Sequence, residues 1–318
     1  MEEPFFSVLM PVYNGAKYFD RSVKSVLSQS CGDFELLMLD DCSTDDSPER
    51  VRELAAADSR VVPLAHEENT GSIGSRIDLI QAAKGRYIVW LDQDDEYASD
   101  FLETAYRLIA AGNWDIVHFP HWDKNPDGTV YREGFAAAEK HDEEVLDWFF
   151  RGMQGNIWYM WDKVVRTELW RKHLPPRMRC ATDDVFFTLP VFFYGRSYLA
   201  VDDHPMYTYY RDIGQWGSTG GSLTLDKYKE QVDVFIRFYQ YNHDFLRDHG
   251  FGLKYEDDLL RFCYLGHLFW RVILLPTAAD RDAGMQYFQK YFACSVVPRP
   301  YKFPYPGQPK RATYSFKI

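Results

Sequence analysis

The sequence predicts an α/β fold, a mostly parallel, Rossmann-like sheet with helices on both faces. Over residues 1–120, apolar strand-like runs alternate with helix-like segments. These runs are continuously apolar, which is typical of parallel strands that are buried on both faces. Of the 318 residues, 46% are hydrophobic and 26% are charged, so disorder over most of the length is excluded.

The elements of this first part follow from local patterns. The first run ends at Asn14 and Gly15, which favour a turn, and the second ends at Asp40 and Asp41. Pro48 suits the first turn of a helix, where its missing N–H costs little. The predicted strands are residues 7–13, 34–39, 61–65, 87–91 and 115–119. The predicted helices begin at about residues 18, 46, 72 and 100.

The rest of the chain is less regular, then mainly helical. We expect a hairpin over 122–131, a helix over 145–153 and long helices over 225–248, 257–275 and 280–292. The tail 298–318, rich in proline, aromatic and basic residues, is expected to be an extended strap. We therefore divide the chain into a domain 1–222, with halves 1–120 and 121–222, and a helical region and tail 223–318.

Charge and targeting patterns exclude several classes of protein. The chain has 36 Lys and Arg against 47 Asp and Glu, a net charge of −11, which argues against binding nucleic acid. The acidic start is unlike a signal peptide, and no apolar window approaches the roughly 20 residues that span a bilayer. The 5 cysteines are scattered, which indicates free thiols in a reducing compartment. A cytoplasmic location is the expectation.

Acidic residues follow two of the predicted strands. Asp40-Asp41 ends the second strand, and Asp92, Asp94 and Asp95 follow the fourth. The carboxyl ends of parallel strands meet at one edge of a sheet, where ligands bind. Crowded carboxylates there call for a cation, and Mg²⁺ or Mn²⁺ commonly combines one or two carboxylates with phosphate oxygens and water. Each turn taken alone is equally well a solvated loop.

An ordered set of motifs resembles family 2 glycosyltransferases. The motifs are Ser7–Gly15, Ser25–Ser30, Asp40–Asp45, Asn69–Gly71 with Arg76, Ala83–Ile88 and Leu91–Asp95. The resemblance is close over residues 7–102 and weaker to about 222. It implies a GT-A fold, a nucleotide-diphosphate sugar donor such as a UDP-sugar, a divalent metal (Mn²⁺ or Mg²⁺) and inversion at the anomeric carbon.

The resemblance also implies roles for donor-side residues. The end of the first strand would contact the nucleobase, and Asp41 would read its edge. Asp92 would hold ribose hydroxyls and the metal, with Asp94 as principal metal ligand and Asp95 next. Arg76 and Arg211 would face the diphosphate. The alternative for Arg76 is an ordinary exposed helix residue. The nucleobase contacts of the first strand are Pro11, Val12 and Tyr13.

On the acceptor side, Asp184 matches the family's catalytic base and Asp183 its acidic neighbour. An inverting transfer needs a carboxylate to take the proton of the acceptor hydroxyl. The alternative is that both are helix N-terminal acids, which the helix dipole favours. Aromatic faces stack on sugars, so Trp158, Trp161 and Trp216 are candidate acceptor contacts, or simply core.

Some positions depart from the family pattern. Cys42 stands where the family usually has glycine, and a positive φ would strain a cysteine.

Tyr209 and Tyr210 with Arg211 resemble a loop that folds over the donor phosphates. His118 and His121, three apart in a strand-like segment, should point to opposite faces and make a poor metal pair.

The sequence thus predicts a metal-dependent, inverting transferase that adds single sugars to a glycan or glycolipid, in a bacterial surface polysaccharide. A sugar nucleotidyltransferase is the alternative, but it should carry a longer Gly-rich basic loop after the first strand. A catalytically silent glycan-binding module is the other. Lys302, Lys310, Arg311 and Lys317, which lie among aromatics in the tail, suit a peripheral contact with a membrane surface.

Overall fold

A computed structural model describes residues 3–152, 157–178, 183–211, 223–251, 254–261, 272 and 274–290. The strands are β1 Phe6–Val12, β2 Phe34–Asp40, β3 Val61–Ala65, β4 Tyr87–Trp90, β5 Glu96–Tyr97, β6 Ile116–His118, β7 His121–Lys124, β8 Val130–Glu133, β9 Ala138–His141, β10 Lys163–Arg166, β11 Ser197–Ala200 and β12 Tyr207–Tyr210. The helices are α1 Phe19–Leu27, α2 Ser47–Ala57, α3 Gly71–Ala82, α4 Phe101–Gly112, α5 Glu143–Gly152, α6 Thr167–Lys172, α7 Asp184–Tyr194, α8 Leu225–Asp248, α9 Glu256–Arg261 and α10 Ala278–Gln289.

The main sheet is a mixed sheet whose first half is parallel. Its strand order is β3-β2-β1-β4-β10-β6-β11-β9. The first four strands in this order are mutually parallel, as the apolar runs predicted. β10 then enters antiparallel between β4 and β6. Because β1, β2 and β4 run in the same direction, the turns that follow them meet at one edge of the sheet.

Burial explains why these runs are continuously apolar. All seven residues of β2 and all four of β4 are buried. Among them Glu35 is a buried acid, and its Oε1 accepts hydrogen bonds from Ser7 Oγ and Lys84 N, both at 2.6 Å. Gly85 lies against β1 so closely that a Cβ would sit 2.4 Å from Ser7 N. The start of β4 therefore has room only for glycine.

A second, smaller sheet has the order β5-β12-β7-β8. Its β7–β8 pair is the predicted hairpin. The expectation of a loop at Tyr209 and Tyr210 is wrong, because both residues lie in β12, which pairs parallel with β7. Aromatic side chains with extended backbone pack well between strands, and this packing decides the conformation here.

The prediction that His118 and His121 point to opposite faces is also wrong. The segment is two strands, because β6 ends at His118 and β7 begins at His121. Phe119 and Pro120 separate them, so the two-residue alternation of a single strand does not apply. Both imidazoles face Asp162 instead.

The C-terminal helices pack on the helix that starts at Asp184. Phe186 of α7 meets Phe238 of α8 edge to face at 4.9 Å, and Phe193 meets Phe245 in the same way at 4.9 Å. The helix predicted over 225–248 is confirmed by α8. Among the described residues, no helix combines the length and apolar character needed to cross a bilayer. The predicted tail 298–318 lies outside the described residues.

Candidate functional site

The turn after β4 is fastened to the end of β1 by Gln93. Its Oε1 accepts from Tyr13 N at 3.1 Å, and its Nε2 donates to Tyr13 O at 3.0 Å. Ser22 Oγ of α1 donates to Gln93 O at 2.8 Å. Pro11 and Val12 therefore lead directly into a turn whose backbone is fixed against the acidic segment 92–95. Sequence reasoning missed Gln93, because a glutamine between two aspartates has no distinctive signal.

Asp41 lies at the same edge, after β2, and holds the start of α3. Its Oδ2 accepts from Gly71 N at 2.8 Å, and its Oδ1 accepts from Thr70 N at 2.8 Å and faces His66 Nδ1 at 2.7 Å. Oδ2 thus keeps acceptor capacity for a further donor, such as a base N–H. The next residue, Cys42, has φ of 60°, the strained conformation expected there.

The three aspartates after β4 have different surroundings. Asp95 is buried, and its two oxygens accept from Tyr207 OH at 2.7 Å and Tyr210 N at 2.9 Å. Asp94 is partly exposed, and no other described side chain is hydrogen-bonded to its carboxylate. Burial and the charge of Asp92 raise the pKa of Asp94 to about 7. Asp94 is therefore a hard oxygen donor whose carboxylate forms no ion pair with the described residues, although the charges of Arg21 and Lys17 partly offset the rise in its pKa.

Arg76 of α3 joins this edge to the acidic pair at the start of α7. Its Nε donates to Asp183 Oδ2 at 2.7 Å, and its Nη2 donates to Asp92 Oδ1 at 3.2 Å. Burial opposes the charge of Arg76, but Asp183, Asp92 and Asp184 hold its pKa above the ordinary value. The alternative that Arg76 is an exposed helix residue is thereby excluded, since its side chain is 7% exposed.

Asp184 begins α7 beside this ion network. Its Oδ1 is buried and has no hydrogen-bond partner among the residues that the structure describes. Burial, and next the charge of Asp183, raises the pKa of Asp184 well above that of an ordinary carboxyl. A carboxylate with raised proton affinity is suited to accept a proton.

A buried polar layer lies next to Asp184. Lys163 donates to Asp162 Oδ1 and to Tyr159 O, both at 2.6 Å, and Asp162 Oδ2 lies 2.9 Å from His118 Nε2. Burial depresses the pKa of His118 to about 4, so the imidazole is neutral at pH 7. The positive partner of Asp162 is therefore Lys163. The sequence offered only the adjacent Asp-Lys pair as a signal for this layer.

The acceptor-side expectations meet different surroundings. Trp161 is buried and stacks on Tyr207 at 4.4 Å and on Tyr209 at 5.6 Å, so both of its faces lie in protein. Trp158 is half-buried, and its ring lies 4.3 Å from that of Tyr159. Arg211 follows β12 and is paired with the buried Asp123. Trp216 lies outside the described residues.

The donor set fits a divalent metal held mainly by the substrate. Among the residues that the structure describes, no three His, Cys, Asp or Glu side chains converge as ligands. Asp94 supplies the kind of oxygen that Mg²⁺ and Mn²⁺ prefer, whereas each oxygen of Asp95 already accepts one hydrogen bond. A metal here would thus take one or two carboxylates and complete its shell with diphosphate oxygens and water.

Comparison with known proteins places this geometry in a family. The model of glycosyl transferase family 2 matches residues 7–172, more than half of the 318 residues. TuaG of Bacillus subtilis, named as a teichuronic acid biosynthesis glycosyltransferase, is 38% identical over 134 residues, 37% of this chain and 53% of TuaG. WfgD of Escherichia coli, a UDP-Glc:alpha-D-GlcNAc-diphosphoundecaprenol beta-1,3-glucosyltransferase, is 34% identical over 37% of this chain and 46% of WfgD. The matches thus span about half the length of these relatives.

Solved structures share the whole architecture. The TarS 1-349 complex with UDP-GlcNAc from S. aureus superposes with a TM-score of 0.59 at 18% identity, over 90% of this chain and 89% of that one. The mannosyltransferase PcManGT of Pyrobaculum calidifontis, in complex with GDP-Man and Mn²⁺, gives 0.54 at 16% identity, over 93% and 77%. Together with the family match, this likeness shows that the chain is a family 2 glycosyltransferase with the GT-A fold.

Proposed function

We propose that this protein transfers a single sugar, with inversion, from a UDP-sugar to a hydroxyl of a glycan or glycolipid acceptor. The observation that carries the proposal is the bridge made by Arg76. It joins Asp92, at the strand end expected to hold the donor, to Asp183 and hence to Asp184, at the side expected to hold the acceptor. Donor and base would therefore face each other across one ion network.

The donor site would lie at the ends of β1, β2 and β4. Pro11, Val12 and Tyr13 would line the nucleobase, and Asp41 would accept from its edge through Oδ2. Asp92 would take the ribose hydroxyls. The likeness to a TarS complex with UDP-GlcNAc supports a nucleotide-sugar donor in this position.

The phosphates would be met by cations. When bound, Mn²⁺ or Mg²⁺ would supply positive charge to the diphosphate, held by Asp94 and, less directly, by Asp95. Arg211 is placed to approach the diphosphate, provided that it leaves Asp123, its partner in this structure. The Mn²⁺ in the PcManGT complex is in keeping with a metal at this edge.

The chemical step needs a base on the side opposite the leaving group. Asp184 would take the proton of the acceptor hydroxyl while that oxygen bonds to the anomeric carbon. The bond from that carbon to the diphosphate breaks, and its electron pair leaves with the nucleoside diphosphate. Attack from the opposite face inverts the configuration. Arg76 would hold Asp183 in place through its hydrogen bond, so that Asp184 is the carboxylate left to accept the proton.

The acceptor would lie on the side of Trp158, whose half-buried face can stack on a sugar. WfgD is named for an acceptor linked to diphosphoundecaprenol, and TuaG for teichuronic acid biosynthesis. We therefore propose a bacterial surface polysaccharide as the product, made at the cytoplasmic face of the membrane by peripheral contact.

A donor screen tests this function. The protein is incubated with UDP-, GDP- and CMP-sugars and Mn²⁺, and nucleotide release is measured with and without lipid-linked or glycan acceptors. We expect release of UDP that a chelator abolishes. If none of the donors gives nucleotide release, the protein is better explained as a catalytically silent glycan-binding module. Pyrophosphate formation from a nucleoside triphosphate and a sugar 1-phosphate would indicate a nucleotidyltransferase.

A further inference from the structure

A second chain of charges starts at Asp41 and runs away from the reacting atoms. His66 lies between two carboxylates, with Nδ1 2.7 Å from Asp41 Oδ1 and Nε2 3.0 Å from Asp78 Oδ2. Asp78 in turn receives two hydrogen bonds from the guanidinium of Arg177, one of them at 2.8 Å. The chain Asp41–His66–Asp78–Arg177 therefore joins residues from four separate parts of the sequence.

The inner end of this chain lies at the proposed nucleotide site. Asp41, the candidate for reading the base, is 4% exposed. Its position is set by His66 and by the backbone N–H groups of Thr70 and Gly71. A substitution or displacement of His66 would therefore change the position of the Asp41 carboxylate, which a nucleotide would contact.

The outer end lies on the segment that leads to the proposed base. Arg177 is followed, after a few residues, by Asp183 and Asp184. Helix α3 thus holds this segment at two points, through Asp78 with Arg177 and through Arg76 with Asp183. Asp41 accepts a hydrogen bond from Gly71 at the start of α3. A shift of α3 at this point can therefore reach Arg177 and Asp183 through the two ion pairs.

Both ring nitrogens of His66 face carboxylate oxygens. The charged groups that face the ring are Asp41 from the end of β2 and Asp78 from α3, with Arg177 across Asp78. The hydroxyl of Thr70 lies 3.1 Å from Nδ1. The ring therefore bridges the end of β2 to α3, and its position depends on both carboxylates.

We propose that His66 is a positioning residue that couples the nucleotide site at Asp41 to Asp183 and Asp184. This inference rests on the proposed function, because it takes Asp41 as a nucleotide contact. It goes further in naming residues outside the reacting centre that set donor affinity.

The test measures the Kd of UDP for the full chain, by calorimetry, in His66→Gln, Arg177→Gln and the double variant. Arg177 is half exposed and lies at the far end of the chain of charges from Asp41, so its substitution leaves the nucleotide site itself intact. We expect each single change to weaken UDP binding by about three- to tenfold, and the double change to weaken it no further than the stronger single change. The matched control is His204→Gln, since His204 also lies between two carboxylates, at 3.3 Å and 3.4 Å, but on the exposed surface.

Urea unfolding of the same variants separates positioning from simple structural support. The loss of UDP affinity should not scale with the loss in free energy of unfolding, because it arises from the position of Asp41. Unchanged UDP affinity in Arg177→Gln, or effects that multiply in the double variant, would overturn the coupling. If His66→Gln does not fold, Arg177→Gln alone decides.

The outcomes also separate the coupling from the proposed function. A wild type that binds UDP but transfers no sugar overturns the function, while the coupling is still judged on the Kd values. A wild type that binds neither UDP nor GDP overturns both.

Discussion

Arg76 Nε lies 2.7 Å from Asp183 Oδ2, so a buried ion pair joins helix α3 to the start of α7. The same guanidinium reaches Asp92 at 3.2 Å. A lysine would keep the charge but could not span both carboxylates, because it lacks the planar fork of arginine.

Arg76→Lys is therefore expected to lower kcat about a hundredfold while leaving the protein folded. Initial rates of nucleotide release and thermal unfolding measure the two effects. Arg171→Lys is the control, since in the described part of the chain Arg171 donates to the backbone oxygens of Ile80 and Ala83 alone, and its substitution should lower stability but not kcat. Equal kcat in Arg76→Lys and wild type would show that the bridge has no part in catalysis.

The position of the Gln93 side chain requires glycine at residue 15. A Cβ on Gly15 would lie 1.9 Å from Gln93 Oε1, although φ at Gly15 is an ordinary −107°. Gly15→Ala should thus displace Gln93 from Tyr13 and cost about 1–2 kcal/mol, as Gln93→Ala should, because both lose the same two hydrogen bonds.

The double variant Gly15→Ala with Gln93→Ala should be no less stable than either single one, as measured by urea unfolding. Gly32→Ala serves as the control, because a Cβ there meets nothing within 4 Å. Additive losses in the double variant would mean that Gly15 is needed for another reason.

The buried layer around Asp162 makes stability depend on pH. Burial is the main reason that the pKa of His118 falls from 6.5 to about 4 in the folded protein. Below pH 6.5 the imidazole is therefore protonated in the unfolded chain but still neutral in the folded one. Stability from this group is complete above that pH and is lost as the pH falls towards 4. The loss approaches about 3 kcal/mol.

Asp162 adds a second, more acidic phase. Despite its burial, His118 and then the positive charge of Lys163 hold its pKa at about 2, so its contribution is lost between about pH 4 and 2. Urea unfolding at pH 7, 5.5 and 4.5 should show a slope that His118→Gln flattens. An equal slope in that variant would assign the pH dependence to other groups.

Asp94 and Asp95 should respond differently to loss of charge. Asp94→Asn removes a carboxylate that is hydrogen-bonded to no described side chain, so it should raise the Mn²⁺ concentration for half-maximal activity about tenfold or more. Stability should not fall.

Asp95→Asn should instead lower the free energy of unfolding, because Tyr207 and Tyr210 donate to the two oxygens. Metal titration of the transfer rate and urea unfolding, on both variants, distinguish the two roles. A Mn²⁺ requirement that changes only in Asp95→Asn would reverse the assignment.

Local elements were accessible from the sequence, whereas long-range pairings were not. The strand over 61–65 and the helix over 225–248 match the structure to the residue, since hydrophobic period and turn residues are local signals. The positive φ of Cys42 followed from a departure at a glycine position. The insertion of β10 between β4 and β6 has no such signal, because Val164 pairs with residues far away in the chain.

The site shows the same division. The acidic residues at strand ends could be found from their positions, but not which of their oxygens were already used. Asp41 and Asp95 are both occupied by donors, from Thr70 and Gly71 and from Tyr207 and Tyr210 respectively. Side-chain partners depend on the packed structure, and that is why Gln93, Lys163 and His66 were not recognised.

We propose that Asp184 is the base of the sugar transfer. The initial rate of transfer by Asp184→Asn at saturating donor tests this role, with the Kd of UDP measured on the same preparation. We expect a rate about a thousandfold below that of the wild type and an unchanged affinity for UDP. A rate within tenfold of the wild type, or a rate that falls only because UDP no longer binds, would contradict it.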